Sequence, residues 1–487
     1  MSSEKRPSLL FLTSPEHGQA NCQFAVITCL REHYGDDIDI HLCSYPELEN
    51  RTPPSVTFHS VKGEGIVRYF EKITGSPKAG LQEAFKTISS PTGFFPACMA
   101  YPRLLPLLHP ESPEVYVASA NDVAKILADV NPDFIVCDDL FDQARDAIIN
   151  SGRKFILISP NTIKEVAGKN QGLVRLWKWP ALVSGYAYLV PWHLIPLNIV
   201  ASIFPLFYFR RYERFLTLIR TRHAAGYPDL LPKWQAHQTK YSKIMCMSTP
   251  EAEIPAVYPP GVICCGPILQ HSKPLQEVDE KMYEWVMAKP TVLIVLGSHF
   301  VTSEEYANKV MAALNVLLDA RPDIQVLWKV RKDCEFEIAG WKEKEDRVKV
   351  VQWLEADPIA ILETGNIACF VNHGGSNSYH EALQTGTPQI ILAAWVDCYD
   401  FAARLEYLGN GAWGNKGSAP GCDTKTLTKA LLKVVGATPD AAEATKIWER
   451  AAELKEIVTD GGRRIGREVA AGYVWEGLQE ALRTYHD

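Results

Sequence analysis

Short apolar runs, separated by longer segments of helical periodicity, recur in two series along this chain of 487 residues. Each run is nearly continuous in apolar residues, as expected of strands that are buried on both faces of a parallel sheet. The first series comprises Leu9–Leu12, Asp39–Cys43, Phe134–Cys137 and Phe155–Ile158, and the second comprises Thr291–Leu296, Gln325–Val330, Val348–Val351, Ala368–Val371 and Gln389–Ala393. Strands that alternate with helices build doubly wound α/β domains. The two series therefore predict an α/β protein with two Rossmann-like domains and a cleft between them.

Proline and glycine crowd together between the two series, near Ser248-Thr-Pro-Glu and Tyr258-Pro-Pro-Gly. These residue types interrupt helices and strands, so such a stretch indicates a domain boundary. We predict a first domain over residues 1–247, a second over residues 248–460 and a C-terminal helix over residues 461–487. A chain of this length is also too long for one ordinary core.

Charge and cysteine usage exclude several classes of protein. The formal net charge of −7 argues against a nucleic-acid-binding protein, which usually carries a clustered basic surplus. The 12 cysteines include neither a CxxC pair nor a cluster with histidine, so they predict neither a disulfide framework nor a zinc site. The first apolar run is too short for the core of a signal peptide. We therefore expect reduced thiols and a cytoplasmic location.

One long segment is apolar enough to contact lipid. Residues 179–209 contain no Asp, Glu, Lys or Arg, and a bilayer span needs about 20 apolar residues. The segment is interrupted by Pro180, Pro191, Pro196 and Pro205. Each internal proline removes a helix hydrogen bond that lipid cannot replace. Core packing, lining of a binding site and contact with a membrane surface stay open, and we expect peripheral contact rather than a span.

The motif with the most chemical content is Val371-Asn-His-Gly-Gly-Ser-Asn-Ser-Tyr-His-Glu-Ala-Leu383. An apolar strand ends at Val371, two glycines predict a tight turn, and a helical pattern begins near Asn377. The N–H groups and the dipole of a helix N-terminus bind phosphate. A glycine turn followed by an ordinary helix cap is the alternative for this motif taken alone.

The side chains of this motif suit a nucleotide diphosphate. Gly375, next to Gly374, allows close approach of the backbone, and three following side chains can donate hydrogen bonds. These are Ser376, Asn377 and Ser378. Glu381 lies one turn further and can accept two hydroxyl protons from a ribose.

Other segments flank this motif in a fixed order. They are Gly266-Pro267-Ile268 and Leu296-Gly-Ser298 far upstream, Trp353-Leu-Glu shortly before it, and Gly386-Thr-Pro388 and Trp395-Val-Asp397 after it. Together they resemble the donor-binding signature of the family 1 UDP-glycosyltransferases. The LEADP, HGGSNS and DCYDFA segments are most similar to its fungal branch.

The resemblance implies a GT-B fold, in which two Rossmann-like domains face each other and the last helix crosses back to the first domain. It implies an inverting, metal-independent transfer of a hexose, with glucose expected, from a UDP-sugar. The acceptor would be a small lipophilic molecule such as a phenolic, polyketide, sterol or lipid. No cofactor is expected, because the nucleotide sugar is a co-substrate.

Carried over by position, the resemblance implies roles for individual donor-site residues. Trp353 would stack on the uracil and Glu381 would hold the ribose. The diphosphate would be held by His373, Asn377, Ser378 and Ser298. Asp397 would bind sugar hydroxyls.

Two departures from the family pattern bear on the sugar. Glu355 and Ala356 stand where the family often has Pro-Gln, and Cys398 stands where it often has Gln after the aspartate. The missing contact is either absent or supplied elsewhere, with Asp400 as a candidate. The choice between glucose and another hexose therefore stays open.

The acceptor base is expected in the loop after the first strand, Thr13-Ser-Pro-Glu-His-Gly-Gln-Ala-Asn21. His17 is the main candidate, since a histidine titrates near pH 6.5. In the family a Gly-His-x-Asn segment supplies the base, and the in-frame match puts Gln19 at the histidine position. Glu16 is the alternative. By resemblance, Asp138 would be the carboxylate that fixes the histidine tautomer.

A metal site and two other functions are alternatives to this interpretation. His373, His380 and Glu381 do not have the number and spacing of ligands expected of a metal site. A nucleotide-sugar epimerase or hydrolase can use the same fold, since fold does not fix function. A UDP-sugar-binding protein without catalysis is the third, and the departures at Gln19 and Cys398 keep it open.

Overall fold

The computed structural model describes residues 6–227 and 242–484. Within them, seven parallel strands form a first sheet in the order β3-β2-β1-β4-β5-β6-β7. Its strands are β1 Ser8–Leu12, β2 Asp39–Ser44, β3 Thr57–Ser60, β4 Phe134–Asp138, β5 Phe155–Ser159, β6 Ser242–Cys246 and β7 Val262–Cys264. The order reverses beside β1, as in Rossmann domains, and a crevice forms there at the carboxyl ends of the strands.

A second parallel sheet has the order β10-β9-β8-β11-β12-β13 within the described residues. Its strands are β8 Thr291–Val295, β9 Gln325–Lys329, β10 Val348–Val351, β11 Ile367–Asn372, β12 Gln389–Ile391 and β13 Gly411–Trp413. The sequence therefore predicts both sheets correctly in kind.

Helices cover both sheets. Those of the first half are α1 His17–Tyr34, α2 Ile66–Thr74, α3 Pro77–Lys86, α4 Phe94–Leu108, α5 Pro113–Val130, α6 Asp142–Asn150, α7 Ile163–Ala167, α8 Arg175–Lys178, α9 Ile195–Phe209 and α10 Glu213–Ala224. Those of the second half are α11 Leu275–Val278, α12 Glu280–Ala288, α13 Glu304–Ala320, α14 Pro358–Leu362, α15 Ser376–Thr385, α16 Val396–Leu408, α17 Thr424–Val434, α18 Ala442–Thr459 and α19 Gly466–Thr484.

Strand β1 shows why the sheet is buried on both faces. Successive side chains of a strand point to opposite faces. Accordingly, Leu9 and Phe11 pack in one core with α1 and α19, whereas Leu10 and Leu12 pack in another with α5 and α6. A strand with two such neighbours must be apolar throughout, and this explains its continuous apolar run.

The C-terminal helix α19 returns to the first sheet, as expected. Val474 and Leu478 are fully buried in the core that contains α1 and β1. Trp475 stacks on Tyr34 of α1, with the ring centroids 3.7 Å apart.

The structure corrects the predicted element list in several places. The prediction omits four strands that the structure contains, namely β3, β6, β7 and β13. Two of these contain only three residues, β3 is a half-exposed edge strand, and β6 begins with Ser242 and the exposed Lys243, so none has a long apolar run. Because β6 and β7 belong to the first sheet, the predicted domain division at residue 248 falls inside that sheet. The change of sheet lies between Cys264 and Thr291.

The proline-rich segment is also more helical than expected. Helix α9 is continuous despite Pro196 and Pro205. Pro196 lies in the first turn, where its missing N–H costs no helix hydrogen bond. Among the described residues, Trp192–Phe209 is the one helical stretch long and apolar enough to cross a membrane, judged by length and composition alone, with a mean hydropathy of 1.5.

Candidate active site

The loop after β11 is shaped by buried amide side chains. The N–H of Gly374 donates to Asn372 Oδ1 at 2.8 Å, and Asn372 Nδ2 donates to Gln389 Oε1 at 3.0 Å. Gly374 has φ of 85°, a conformation that glycine adopts without cost. A Cβ there would lie 3.0 Å from the carbonyl oxygen of Cys398, so the packing also requires glycine.

The ring of His373 is held between two glycines. A Cβ on Gly375 would lie 2.4 Å from its Nε2, and a Cβ on Gly297 would lie 2.6 Å from its Cε1. Burial and the nearby His299 lower the pKa of His373 to about 3. His373 is therefore neutral at physiological pH, so it can donate a hydrogen bond but supplies no positive charge. The hold expected of it on a diphosphate is therefore a hydrogen bond rather than an ion pair.

Helix α15 begins at this loop with an open N-terminus. Its N-cap, Gly375, provides no side-chain cap. Three buried polar atoms of the described chain lack a hydrogen-bond partner here: His373 Nδ1, Asn377 Oδ1 and Glu381 Oε2. Asn377 and Glu381 are four residues apart in α15 and so share one face of the helix, and His373 lies in the loop just before it. Buried polar groups are nearly always paired in proteins, so this row is shaped for a polar ligand.

Burial raises the pKa of Glu381 to about 7, and the nearby carboxylate of Asp357 adds to the shift. A carboxylate that has no protein donor but can accept from a ligand is suited to a vicinal diol.

The serines of the motif differ in their contacts. The Ser376 hydroxyl donates to the carbonyl of Pro160, in the loop after β5 of the first sheet. It therefore joins the two halves of the molecule, and this contact competes with its expected role toward a diphosphate. Ser378 is half-buried on the first turn of α15. Ser298 is exposed in the loop after β8, where its carbonyl accepts from Arg331 at 2.8 Å.

Trp353 presents an exposed aromatic surface beside this loop. Its side chain is 68% exposed, an unusual state for a tryptophan. The ammonium group of Lys329 lies 4.3 Å from the centroid of its ring. A broad, exposed ring at the carboxyl edge of the sheet is suited to stacking with a base.

Asp397 lies at the start of α16, and burial together with Glu165 raises its pKa to about 7. Asp400 pairs with Lys164 of α7 at 2.5 Å, so the sugar contact proposed for it competes with an ion pair between the two halves. Cys398 is fully buried in the core between α15 and α16. Its thiol therefore does not replace the glutamine.

The acid–base candidates are Glu16 and His17, at the start of α1, and Asp138, at the end of β4. His17 is the first residue of the helix and is partly exposed, with its ring reaching into the cleft environment that desolvates it. Burial and the positive charges of Arg51 and Lys329 lower its pKa, so it is neutral and able to accept a proton. Glu16 instead accepts a hydrogen bond from Ile66 N at 2.7 Å and holds the start of α2.

Asp138 lies at the carboxyl end of β4 and is fully buried. Its carboxylate accepts from Ser14 Oγ at 2.8 Å and from Leu140 N at 2.9 Å. Among the described residues, no hydrogen bond or ion pair joins it to His17. The expected histidine–aspartate pair is thus not formed, because the Ser14 loop occupies the carboxylate.

A relative that spans the chain decides the family. The chain is 32% identical over 515 residues to glycosyltransferase sdnJ of Sordaria araneosa, covering 96% of this chain and 98% of the relative. The chain belongs to the family 1 UDP-glycosyltransferases. Residues 340–458 of the present chain also match the family model of the erythromycin biosynthesis protein CIII-like C-terminal domain.

Other comparisons agree with this family. The mouse 2-hydroxyacylsphingosine 1-beta-galactosyltransferase is 28% identical over 244 residues, covering 45% of this chain and 41% of the relative. The solved structure of Phytolacca americana UGT2 complexed with UDP-2fluoro-glucose and pterostilbene has a TM-score of 0.63 at 15% identity, covering 97% of this chain and 100% of that one. A UDP-glucosyltransferase from Polygonum tinctorium has a TM-score of 0.63 at 15% identity, covering 98% and 100%. These structures confirm the GT-B fold of the glycosyltransferase.

Several residues of this glycosyltransferase that shape the cleft lie outside the sequence motifs. Asn372 and Gln389 shape the loop through a buried amide contact between the neighbouring strands β11 and β12, 17 residues apart in sequence. Lys329 and His299 belong to no motif. Lys329 is the last residue of the buried strand β9, and His299 lies in the loop after the buried strand β8. A polar residue at the carboxyl end of an apolar strand is the signal that would have found them.

Proposed function

We propose that this glycosyltransferase transfers a hexose, glucose in the first instance, from a UDP-sugar to a hydroxyl group of a small lipophilic acceptor, with inversion. The observation that carries the proposal is the row of unpaired polar atoms at His373, Asn377 and Glu381, beside the exposed ring of Trp353. The ring suits the uracil, Glu381 the ribose hydroxyls, and the open N-terminus of α15 the diphosphate.

The reaction is a single displacement at the anomeric carbon. The acceptor oxygen forms a bond to that carbon while its proton passes to the neutral ring of His17. The bond between the anomeric carbon and the phosphate oxygen breaks, and UDP leaves with the electron pair. Attack opposite to the leaving group inverts the configuration. Asp397 and Ser298 would bind the sugar and the diphosphate, respectively.

Contacts between the two halves favour transfer over hydrolysis. Ser376 of the second half bonds to Pro160 of the first, and Asp400 of the second half pairs with Lys164 of the first. Such contacts keep the cleft closed and limit the access of water to the donor.

We propose that no metal ion takes part. Among the described residues there is no group of three or more His, Cys, Asp or Glu side chains that could hold one. The test is transfer in the presence of EDTA. Full activity is expected, and loss that magnesium or manganese restores would contradict the proposal.

We further propose a lipophilic acceptor and a cytoplasmic enzyme in peripheral contact with membranes. Support for the lipophilic acceptor comes from the similarity to the 2-hydroxyacylsphingosine 1-beta-galactosyltransferase and to Phytolacca americana UGT2, whose solved structure contains pterostilbene. All 12 cysteines are free, in keeping with a reducing compartment.

Support for membrane contact comes from an apolar surface on α4, α8, α9 and the loop before α9. It consists of Phe95, Trp177, Leu189, Trp192, Leu197, Val200, Leu206 and Phe207, all exposed. The chain carries no acidic residue between Glu165 and Glu213, but it does carry Arg175, Lys178, Arg210 and Arg211. Exposed apolar residues among cations are suited to an anionic lipid surface.

Vesicle sedimentation tests the membrane contact. Vesicles with phosphatidylserine should bind the enzyme, and Phe207→Asp should weaken binding, whereas Val316→Asp, at an exposed position of α13, should not. Carbonate washing should strip the enzyme from membranes, and resistance to it would indicate a transmembrane helix instead.

Product analysis tests the function itself. UDP-glucose with phenolics, sterols and polyketides should yield a glycoside of inverted configuration, detected by mass spectrometry and nuclear magnetic resonance. UDP-glucose alone should stay intact. Hydrolysis or epimerisation without an acceptor would favour the other enzyme class, and binding without turnover on every acceptor would favour a sensor.

A further inference from the structure

The phosphate-binding loop contains no cation of its own. The segment from Val371 to Leu383 includes neither Lys nor Arg, and His373 is neutral because burial lowers its pKa to about 3. The Ser376 hydroxyl already bonds to Pro160. A diphosphate carries at least two negative charges, and the N-terminus of a helix contributes only about half a unit charge.

Lys329 lies at the same edge of the second sheet as this loop. It pairs in register with Val295 of β8, and Val295 pairs with Asn372 of β11, the residue before His373. Lys329 and Asn372 are thus two strands apart in one row, about 10 Å between backbones. The carboxyl ends of parallel strands form the ligand-binding edge of such sheets.

The side chain of Lys329 points toward the cleft. Its Nζ lies 4.3 Å from the ring centroid of Trp353, in the loop after β10. Its positive charge also acts on His17, across the cleft in the first domain. Lys329 therefore lies between the aromatic ring proposed for the uracil and the histidine proposed as base.

The ammonium group of Lys329 has no anionic partner at hand. It is half-buried, and no hydrogen bond or ion pair joins it to another described residue. Burial and the charge of Arg331 lower its pKa, with only a weaker opposing effect from Asp357. A half-buried ammonium group that contacts only a ring face can gain from an anion.

We propose that Lys329 binds the diphosphate of the donor and supplies the positive charge that the phosphate loop lacks. This inference rests on the proposed UDP-sugar donor. The same charge stabilises UDP as it leaves, because negative charge on the phosphate oxygen increases when the sugar bond breaks. Lys329 is thus a donor-binding residue that no segment of the donor signature contains.

Calorimetry with UDP and with uridine separates contact with the diphosphate from support of the tryptophan ring. Lys329→Met should lower UDP affinity at least 10-fold, the usual scale for a charged hydrogen bond, and leave uridine affinity unchanged. Lys329→Arg should retain most of the UDP affinity. The salt dependence of UDP binding should also weaken in Lys329→Met.

Lys349 offers a matched control, since its Nζ lies 4.7 Å from the ring centroid of Trp285 on the same domain. Lys349→Met should change neither affinity. If Lys329→Met binds UDP as the wild type does, or loses uridine and UDP equally, the inference is overturned. If the wild type binds uridine but gains nothing from the diphosphate, the proposed donor fails first.

Discussion

Glu381 illustrates how burial sets the chemistry of a single residue. Burial raises its pKa to about 7, so the group is about half protonated at neutral pH. Only the ionised form can accept from both ribose hydroxyls. A ligand that requires this form must displace a proton below the pKa, so its affinity should decrease as the pH falls.

Uridine binding tests this without interference from a titrating phosphate. Its affinity should rise several-fold between pH 6 and pH 8 in the wild type, and the rise should vanish in Glu381→Gln. Glu381→Ala should weaken UDP binding by about 3–6 kcal/mol, since two hydrogen bonds to a charged group are lost. Unchanged UDP affinity in calorimetry would refute the ribose assignment.

His17 is the residue on which the proposed chemistry depends. His17→Ala should lower turnover of weakly acidic alcohols by about 10²–10⁴-fold and affect acidic phenols less, since phenols partly ionise unaided. Because burial, Arg51 and Lys329 lower its pKa from 6.5, the acid limb of the rate profile should lie below pH 6.5. UDP affinity should not change.

Glu16 and Asp138 are the controls for this prediction. Glu16→Gln should reduce thermal stability through the start of α2, with the alcohol rate largely kept. Asp138 holds the Ser14 loop, so Asp138→Asn should change the alcohol rate by displacing this loop. Near-normal turnover of an alcohol by His17→Ala would exclude the histidine and direct attention to Glu16.

At the scale of elements, the entry to helix α15 is set by close packing around His373. Gly375→Ala would place a Cβ 2.4 Å from the His373 ring, which would have to move. We expect at least 10-fold weaker UDP binding with α15 itself intact. Gly472→Ala in α19 meets no atom within 4 Å and should instead raise stability by about 0.5–1 kcal/mol. Normal UDP binding by Gly375→Ala would show that the ring position is unimportant.

At the scale of the whole molecule, a buried ion pair joins the two halves. Arg404 of α16 lies 2.8 Å from Glu253, in the loop between β6 and β7, and both side chains are at most 3% exposed. Arg404→Met leaves a buried carboxylate without its cation and should cost about 3–5 kcal/mol. The double variant with Glu253→Gln should regain part of this.

Urea unfolding measures both variants, with Lys416→Met as the control at a more exposed pair with Glu406. That pair should contribute less than about 1 kcal/mol. An equally small effect of Arg404→Met would mean that the two halves do not depend on this pair.

The two parallel sheets, the phosphate-binding loop and the resemblance to the family are all visible in the sequence alone. Buried strands need continuous apolar runs, and a glycine turn before a helix is a local pattern, so both are visible in a short stretch of residues. Strands β3, β7 and β13 are not predicted, because short or half-exposed strands need few apolar residues.

The protonation states and the hydrogen-bond partners of the site residues depend on tertiary packing. His373 is neutral because the packing of Gly297 and Gly375 removes water from it. Ser376 and Asp400 are engaged by the first domain, and Lys329 comes to lie beside Trp353. These are contacts between residues distant in sequence, and the desolvation and Coulomb energies that set them depend on distances that no local pattern contains.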